Sequence, residues 1–101
     1  MKQTYVCSGK SSHTLWALYG TGGIRMVIDT SNCTFTSTPL YFTSMAGTSS
    51  HWVMESYTAI YSPTLSSFVV YGRSSIGWNS TEMFDYAQLY AWDINWVGIL
   101  N

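Results

Sequence analysis

The sequence contains very little charge. Lys and Arg together number 4 and Asp and Glu number 5, so charged residues make up 9% of the chain and the net charge is −1. Soluble domains usually carry about 25% charged residues, whereas here Ser and Thr fill many of the polar positions. A surface this neutral offers no electrostatic footprint for a phosphate backbone or for anionic lipid. We therefore expect neither nucleic-acid binding nor membrane insertion.

Long apolar runs are also missing. No stretch approaches the about 18 to 20 apolar residues that span a bilayer, and the first residues lack the apolar segment of a signal peptide. The sequence leaves two interpretations open: the chain is leaderless, or it is the mature part of a longer secreted protein.

Groups for catalysis and metal binding are scarce. The only histidines, His13 and His51, fit no zinc-ligand spacing, and Cys7 and Cys33 would complete only a scattered set. None of the serines stands in a GxSxG elbow, and no acid is placed in the sequence to orient a histidine. The five acids are too dispersed for a carboxylate pair or a calcium loop. We expect no enzyme, no metal and no cofactor.

The two cysteines are too few for a disulfide scaffold. A bridge between Cys7 and Cys33 would stabilise the fold by about 3 to 4 kcal/mol in the chain-entropy model, and the sequence leaves a disulfide and free thiols equally open. The triplets Asn32-Cys33-Thr34 and Asn79-Ser80-Thr81 are glycosylation sequons. Both features agree with a secreted or extracellular location.

Apolar residues alternate with period two along most of the chain, and no window of ten or more residues shows a clean helical period. This pattern predicts an all-β fold, a six- to seven-stranded antiparallel β-sandwich formed as a single domain over residues 1–101. Trp16 lies in a segment that is apolar on both faces, and we interpret it as a core residue. The predicted extended segments are 2–8, 15–19, 24–30, 33–39, 40–45, 56–61, 66–73 and 83–97, with a turn at 9–12.

Binding fits this composition better than catalysis. Sugars are bound when an aromatic ring covers their C–H face and neutral polar groups bond the hydroxyls. A loop of small residues, 46–50, leads into a His-Trp pair, and a Trp-Asn pair lies in a second segment without periodicity. In the alternative interpretation both tryptophans close the ends of the sandwich, since tryptophan is usually mostly buried. The candidate ligand-binding residues are His51, Trp52, Trp78 and Asn79, with Asp85 and Tyr90 as secondary candidates.

Three stretches are similar to a known family. They are CTFTSTPLYFTSMAGTSSHW (33–52), IYSPTLSSFVVY (60–71) and YAWDINWVGI (90–99). Together with Trp78 between the last two, this pattern spans residues 33–99, about two thirds of the chain, and resembles the H-type lectin family. The resemblance implies a six-stranded antiparallel sandwich that forms a homotrimer and binds galactose or N-acetylgalactosamine in clefts between subunits.

The resemblance also assigns positions. Trp78-Asn79 occupies the place of a Trp-His pair in that family, with the second member changed. The family's arginine on the strand before Tyr-Ser-Pro has no counterpart, because Glu55 is the only charge there. The sequence thus predicts a lectin module for glycans, with a neutral sugar as ligand. The alternative is a structural trimerisation or cell-adhesion domain of a larger secreted protein that binds no sugar.

Overall fold

The computed structural model describes residues 3–101, which form seven strands, one α-helix and two short 3₁₀ helices. All strand pairs are antiparallel, and the predicted all-β sandwich of six to seven strands is confirmed. The strands are β1 (Tyr5–Ser11), β2 (Ala17–Tyr19), β3 (Gly23–Asp29), β4 (Leu40–Ala46), β5 (Met54–Glu55), β6 (Ser67–Ser74) and β7 (Asp93–Leu100); the helices are α1 (Ser80–Leu89) and the 3₁₀ helices His13–Leu15 and His51–Val53. One sheet has the order β1-β7-β4 and the other β2-β3-β6-β5.

Alternation along the central strands builds the core between the two sheets. β3 pairs with β6 so that Met26 lies opposite Val70, and both side chains are fully buried. From the other sheet, β7 contributes Ile94 and Trp96 to the same core. The ring of Trp96 lies 6.5 Å from that of Phe68, edge to face. Each such side chain stabilises the fold by about 1.5–3 kcal/mol through burial.

Trp16 belongs to this core, as predicted. It is 3% exposed, and its indole N–H donates a 2.8 Å hydrogen bond to the carbonyl of Trp92. Trp92 is fully buried, and its own indole N–H donates to the carbonyl of Ser49 at 2.8 Å. The two indoles thus tie β2 and the loop after β4 to the start of β7.

Cys7 and Cys33 form a disulfide, with their Cα atoms 6.0 Å apart. The bridge links β1 to the segment 33–39, which was predicted as extended and forms no strand. Within this segment Cys33 and Phe35 are buried, and Phe35 packs against the rings of Tyr5 and Tyr41. The bridge also removes both thiolates from any metal-ligand set.

The prediction of an extended segment over 83–97 is wrong in its first half, where α1 runs. The helix begins with a capping box: the side chain of Asn79 accepts the N–H of Glu82 at 2.9 Å, and the Glu82 carboxylate accepts the N–H of Asn79 at 3.1 Å. Met83 and Ala87, four residues apart, are buried. Alternation was a correct signal only from Asp93 onward. No helix among residues 3–101 is long and apolar enough to cross a membrane.

Two further boundaries differ for local steric reasons. The first strand continues to Ser11, into the predicted turn 9–12, because these residues pair with β7. The ring of Trp96 lies over Gly9, and a Cβ there would come within 2.7 Å of that ring. Of the predicted segment 2–8, Lys2 lies outside the described residues. The segment 15–19 is shortened to β2, since the 3₁₀ helix His13–Leu15 takes its first residue.

The predicted strand 56–61 is also wrong. Ser56 has a φ of 75°, in the left-handed region, so the chain turns directly after β5. Only Tyr61 returns to the sheet, through an isolated bridge to Val69. The resulting loop brings Tyr61 to the outer face of the four-stranded sheet.

Candidate functional site

Three tyrosine rings lie side by side on the outer face of the four-stranded sheet. Tyr71 of β6 follows the buried Val70 and therefore points away from the core. The ring of Tyr19 from β2 is 4.8 Å from that of Tyr71, and the ring of Tyr61 is 4.9 Å from it on the other side. Both contacts are edge to face, an arrangement that adds about 0.5–1.5 kcal/mol per pair beyond burial. The rings therefore hold each other in place.

A cavity of about 460 Å³ lies beside these rings, and we call it the tyrosine cleft. The three tyrosines, the glycine-rich turn 20–23, Ser56 and Arg73 are its main lining. Its volume falls within the range of typical small-molecule sites, which is about 300–1,000 Å³. The cleft is large enough for a ligand of the size of a sugar ring.

The turn 20–23 forms one wall, and Ser80 at the start of α1 holds it in place. The buried hydroxyl of Ser80 accepts the N–H of Gly23 at 2.9 Å and lies 3.0 Å from the carbonyl of Gly20. The N–H of Ser80 donates to the carbonyl of Thr21 at 2.9 Å. Gly20 has a φ of 57°, and a Cβ built on Gly20 or Gly22 would meet nothing within 4 Å. A ligand can therefore approach the backbone of this wall closely.

The opposite rim carries an ion pair. The guanidinium Nε of Arg73 lies 2.7 Å from the carboxylate of Glu55. The pairing of β5 with β6 places Glu55 directly opposite Arg73. Both side chains are exposed, so the pair contributes little to stability. The two opposite charges cancel, so the pair gives this rim hydrogen-bonding groups and no net charge.

His51 and Trp52 lie on the 3₁₀ helix His51–Val53. Trp52 is 85% exposed. His51 is half-buried, and its Nδ1 atom is buried without a hydrogen-bond partner. The loop before them is fixed to the end of α1, since the N–H of Thr48 donates to the carbonyl of Tyr90 at 2.9 Å.

Trp78 and Asn79 have structural contacts. Trp78 is half-buried, stacks against Trp92 at 6.2 Å and lies 4.8 Å from the ring of Tyr86. Asn79 is exposed and caps α1. Asp85 is exposed on α1 and forms no ion pair with the described residues 3–101.

Tyr90, at the C-terminal cap of α1, is half-buried and stacks on Tyr86 at 6.1 Å. The two predicted loops meet within one chain, because the N–H of Ser75 donates to the carbonyl of Val53 at 2.9 Å. Each loop leads into an element that borders the tyrosine cleft: α1 follows one loop and holds the turn 20–23, and β5 leads from the other to Ser56.

The sequence-based candidates did not include the three tyrosines of the cleft. Tyr19, Tyr61 and Tyr71 belong to three separate segments, and only the pairing of β2, β3 and β6 with the bridge at Tyr61 brings them together. The local signals were present but incomplete. Tyr71 alternates with buried residues, and the Gly-Thr-Gly-Gly turn follows Tyr19 directly.

A second polar cluster joins His13 and Asp93. The ring Nδ1 of His13 lies 2.8 Å from Oδ1 of Asp93, the backbone N–H of His13 donates to the same oxygen at 2.7 Å, and Lys10 Nζ lies 3.4 Å from Oδ2. Burial raises the pKa of Asp93, but the hydrogen bonds from His13, with Lys10 nearby, outweigh burial and hold that pKa below its ordinary value of 3.8.

The sequence-based conclusion that no acid orients a histidine is therefore wrong. The contact was not visible in the sequence because His13 and Asp93 lie 80 positions apart in the chain. The carbonyl of His13 also accepts a 2.8 Å hydrogen bond from the side-chain amide of Gln88, so the cluster connects the first 3₁₀ helix, α1 and β7. Within residues 3–101, no group of three or more His, Cys, Asp or Glu side chains is placed to hold a metal ion.

No protein-family model matches the chain, and no curated protein matches its sequence. The similarity to H-type lectins therefore stays a prediction. Function has to be argued from the tyrosine cleft and the loops around it.

Proposed function

We propose that this protein is a carbohydrate-binding module that takes a neutral sugar in the tyrosine cleft. The observation that carries the proposal is the juxtaposition of three fixed tyrosine rings with a glycine-rich wall around a cavity of about 460 Å³. Aromatic rings supply a surface for the C–H face of a sugar. Glycine backbone allows the ligand to approach closely.

The polar groups of the cleft suit a ligand rich in hydroxyls. Thr21 and Ser56 supply hydroxyl groups that both donate and accept, and Arg73 retains N–H donors beyond the one that contacts Glu55. The two charges on the rim, Arg73 and Glu55, are paired with each other. A neutral saccharide satisfies these groups without burying an unpaired charge.

The loops predicted from the sequence take supporting roles in this proposal. Asn79 positions the wall indirectly, because it caps the helix whose Ser80 holds the turn 20–23. His51, Trp52 and Trp78 are not part of the cleft lining. The galactose or N-acetylgalactosamine specificity and the secreted location remain part of the proposal, and the disulfide supports the latter because such bridges persist in oxidising compartments.

A glycan array followed by titration calorimetry tests the proposal. We expect the folded wild type to bind a neutral saccharide, and Tyr71→Ala to weaken binding at least about tenfold, since it removes the central ring. Gly22→Val should also weaken binding by filling open space above the wall. Leu89→Ala is the control, an exposed apolar residue on α1 that does not line the cleft.

Two outcomes would contradict the proposal. One is a folded wild type that binds no glycan on the array. The other is a saccharide bound equally well by the wild type, Tyr71→Ala and Gly22→Val, which would place the site elsewhere.

A second candidate function is assembly or adhesion, favoured by the outer face of the three-stranded sheet. Val6, Leu40 and Phe42 are each more than half exposed there, and the register places them around Ile99 and Val97 of β7. Exposed apolar patches of this kind mark interaction surfaces. We propose that this face contributes to a homo-oligomer, with the trimer implied by the resemblance as the expected order.

Light scattering coupled to size exclusion tests the assembly proposal. We expect an oligomer whose mass falls to that of the monomer in Phe42→Glu, whereas Val27→Glu, on the outer face of the other sheet, leaves it intact. A wild type that is monomeric at high concentration would overturn it.

A further inference from the structure

Trp52 is the most exposed of the large hydrophobic side chains in the described chain, at 85%. Its backbone is nevertheless well anchored. The N–H of Met54 closes the 3₁₀ helix onto the carbonyl of His51, and the N–H of Ser75 donates to the carbonyl of Val53 at 2.9 Å. Because the indole is exposed to solvent, its packing against the core contributes little to stability. The indole is pre-organised for contact with a ligand, because less backbone entropy is lost on binding.

The strand ladder places Trp52 next to the tyrosine cleft. β5 pairs with β6 so that Glu55 lies opposite Arg73 and Met54 opposite Ser74. The 3₁₀ helix therefore lies beyond the end of β6 at which the cleft is formed. Ser56, which lines the cleft, is four residues from Trp52, so their Cα atoms are at most about 14 Å apart.

The rim between the cleft and Trp52 carries the Arg73–Glu55 pair. Both side chains are exposed, and together they present donors and acceptors for hydroxyl groups along this path. Aromatic rings at both ends, with a neutral polar rim between them, would suit a chain of sugar units better than a single sugar. A single sugar ring seated in the cleft would leave the exposed indole without a contact.

We propose that Trp52 is a second aromatic platform and that the ligand is a neutral oligosaccharide that runs from the tyrosine cleft past Arg73 and Glu55 to the indole. This inference rests on the proposed saccharide binding in the cleft. It names the ligand class as extended oligosaccharides and assigns Trp52 to recognition of the units beyond the first.

The test is a comparison of affinity with ligand length. Calorimetric titrations would use galactose and linear galacto-oligosaccharides of increasing length, with the corresponding gluco- and manno-oligosaccharides as parallel series. For the series that binds, we expect wild-type affinity to rise with length. Trp52→Ala should lose about tenfold in affinity for the long members and leave affinity for the shortest bound member unchanged.

Other variants separate this inference from the proposed function. Trp52→Phe, which keeps an aromatic face, should recover part of the loss. Tyr71→Ala should weaken short and long members alike, and Leu89→Ala, an exposed apolar side chain on α1, should change neither. Circular dichroism spectra confirm that each variant is folded.

The inference is overturned if Trp52→Ala binds long members as well as the wild type does, or if it loses the same factor at every length. Either result leaves the cleft proposal standing so long as Tyr71→Ala still weakens binding. Failure of the wild type to bind any of the three series, or of Tyr71→Ala to weaken binding, would instead remove the proposed function on which the inference rests.

Discussion

The outer faces of the two sheets differ, although the same alternation of inward and outward residues builds both. On the four-stranded sheet the outward side chains include a row of tyrosines in mutual contact, walled by the turn 20–23. On the three-stranded sheet they include an apolar group at one end, with Phe42 beside Val97 over a depression of about 320 Å³. The first face has rings in fixed positions, polar groups and a wall, whereas the second offers exposed apolar area.

This difference shows that a strand pattern alone does not make a site. The cleft requires a turn that returns over the sheet edge, and Ser80 supplies the hydrogen bonds that hold it. Ser56 and Tyr61 come from a loop that replaces a strand. We expect the first face to be sensitive to changes that loosen these loops and the second to be sensitive to changes in exposed apolar area.

Removing the disulfide should have the largest effect on stability. The double variant Cys7→Ser with Cys33→Ser is expected to lower the free energy of unfolding by about 3 to 4 kcal/mol, because the unfolded chain loses its cross-link. The bridge lies beside the three-stranded sheet, so the cleft should keep its saccharide affinity under conditions in which the variant stays folded. Urea unfolding and saccharide titration measure the two effects. Lost binding in a folded variant would show that the two faces are coupled.

Ser80→Ala, unlike removal of the disulfide, should change saccharide binding as well as stability. It leaves the buried N–H of Gly23 unpaired, which costs about 1 to 3 kcal/mol of stability. It should also weaken saccharide binding, because the wall of the cleft is released. Ser44→Ala, an exposed serine of β4, is the matched control and should change neither quantity. Unchanged binding in Ser80→Ala would contradict the role of the wall.

Asn79→Ala should lower stability by about 1 kcal/mol through loss of the helix cap. Asn79→Asp should restore most of this stability, since aspartate also caps helices. The pair of variants distinguishes the two roles of Asn79 when thermal unfolding and binding are measured together. If Asn79→Asp is as stable as the wild type and binds saccharide much more weakly, the side chain contacts the sugar directly.

The smallest expected effect is the pH dependence from Asp93, the first residue of β7. Because its pKa is lower in the folded chain than the ordinary value of 3.8, ionised Asp93 stabilises the fold above that pH. The stabilisation is lost as the pH falls through the folded pKa. Urea unfolding below and above pH 3.8 should show this loss in the wild type and a smaller loss in Asp93→Asn. Identical pH profiles for the two proteins would refute it.

The fold was predictable where a local pattern governs it. The buried alternation of Ile24, Met26 and Ile28 identifies β3, and Phe68 and Val70 identify β6 in the same way. The helix α1 was missed because its buried positions, Met83 and Ala87, are few and its other faces also carry aromatic residues. Its capping box was the one local signal.

The two loops of the predicted site were located correctly as irregular segments. In the structure they lie next to α1 and β5, and a hydrogen bond joins them within one chain. Their contacts were not predictable. Trp78 stacks on Trp92. In the sequence Trp78 precedes α1 and Trp92 follows it, and the periodicity did not indicate this helix. Trp52 is exposed because its 3₁₀ helix turns it away from the core.

The sequence by itself determined that the chain is an antiparallel β-sandwich with a neutral, hydroxyl-rich surface, because alternation and composition are properties of neighbouring residues and of the whole chain. Only the tertiary structure decided which side chains form the tyrosine cleft. Tyr19, Tyr61 and Tyr71 meet through strand pairing and a returning loop, and His13 meets Asp93 across 80 residues. Such contacts depend on register and chain path, and neither of these is encoded in a local pattern.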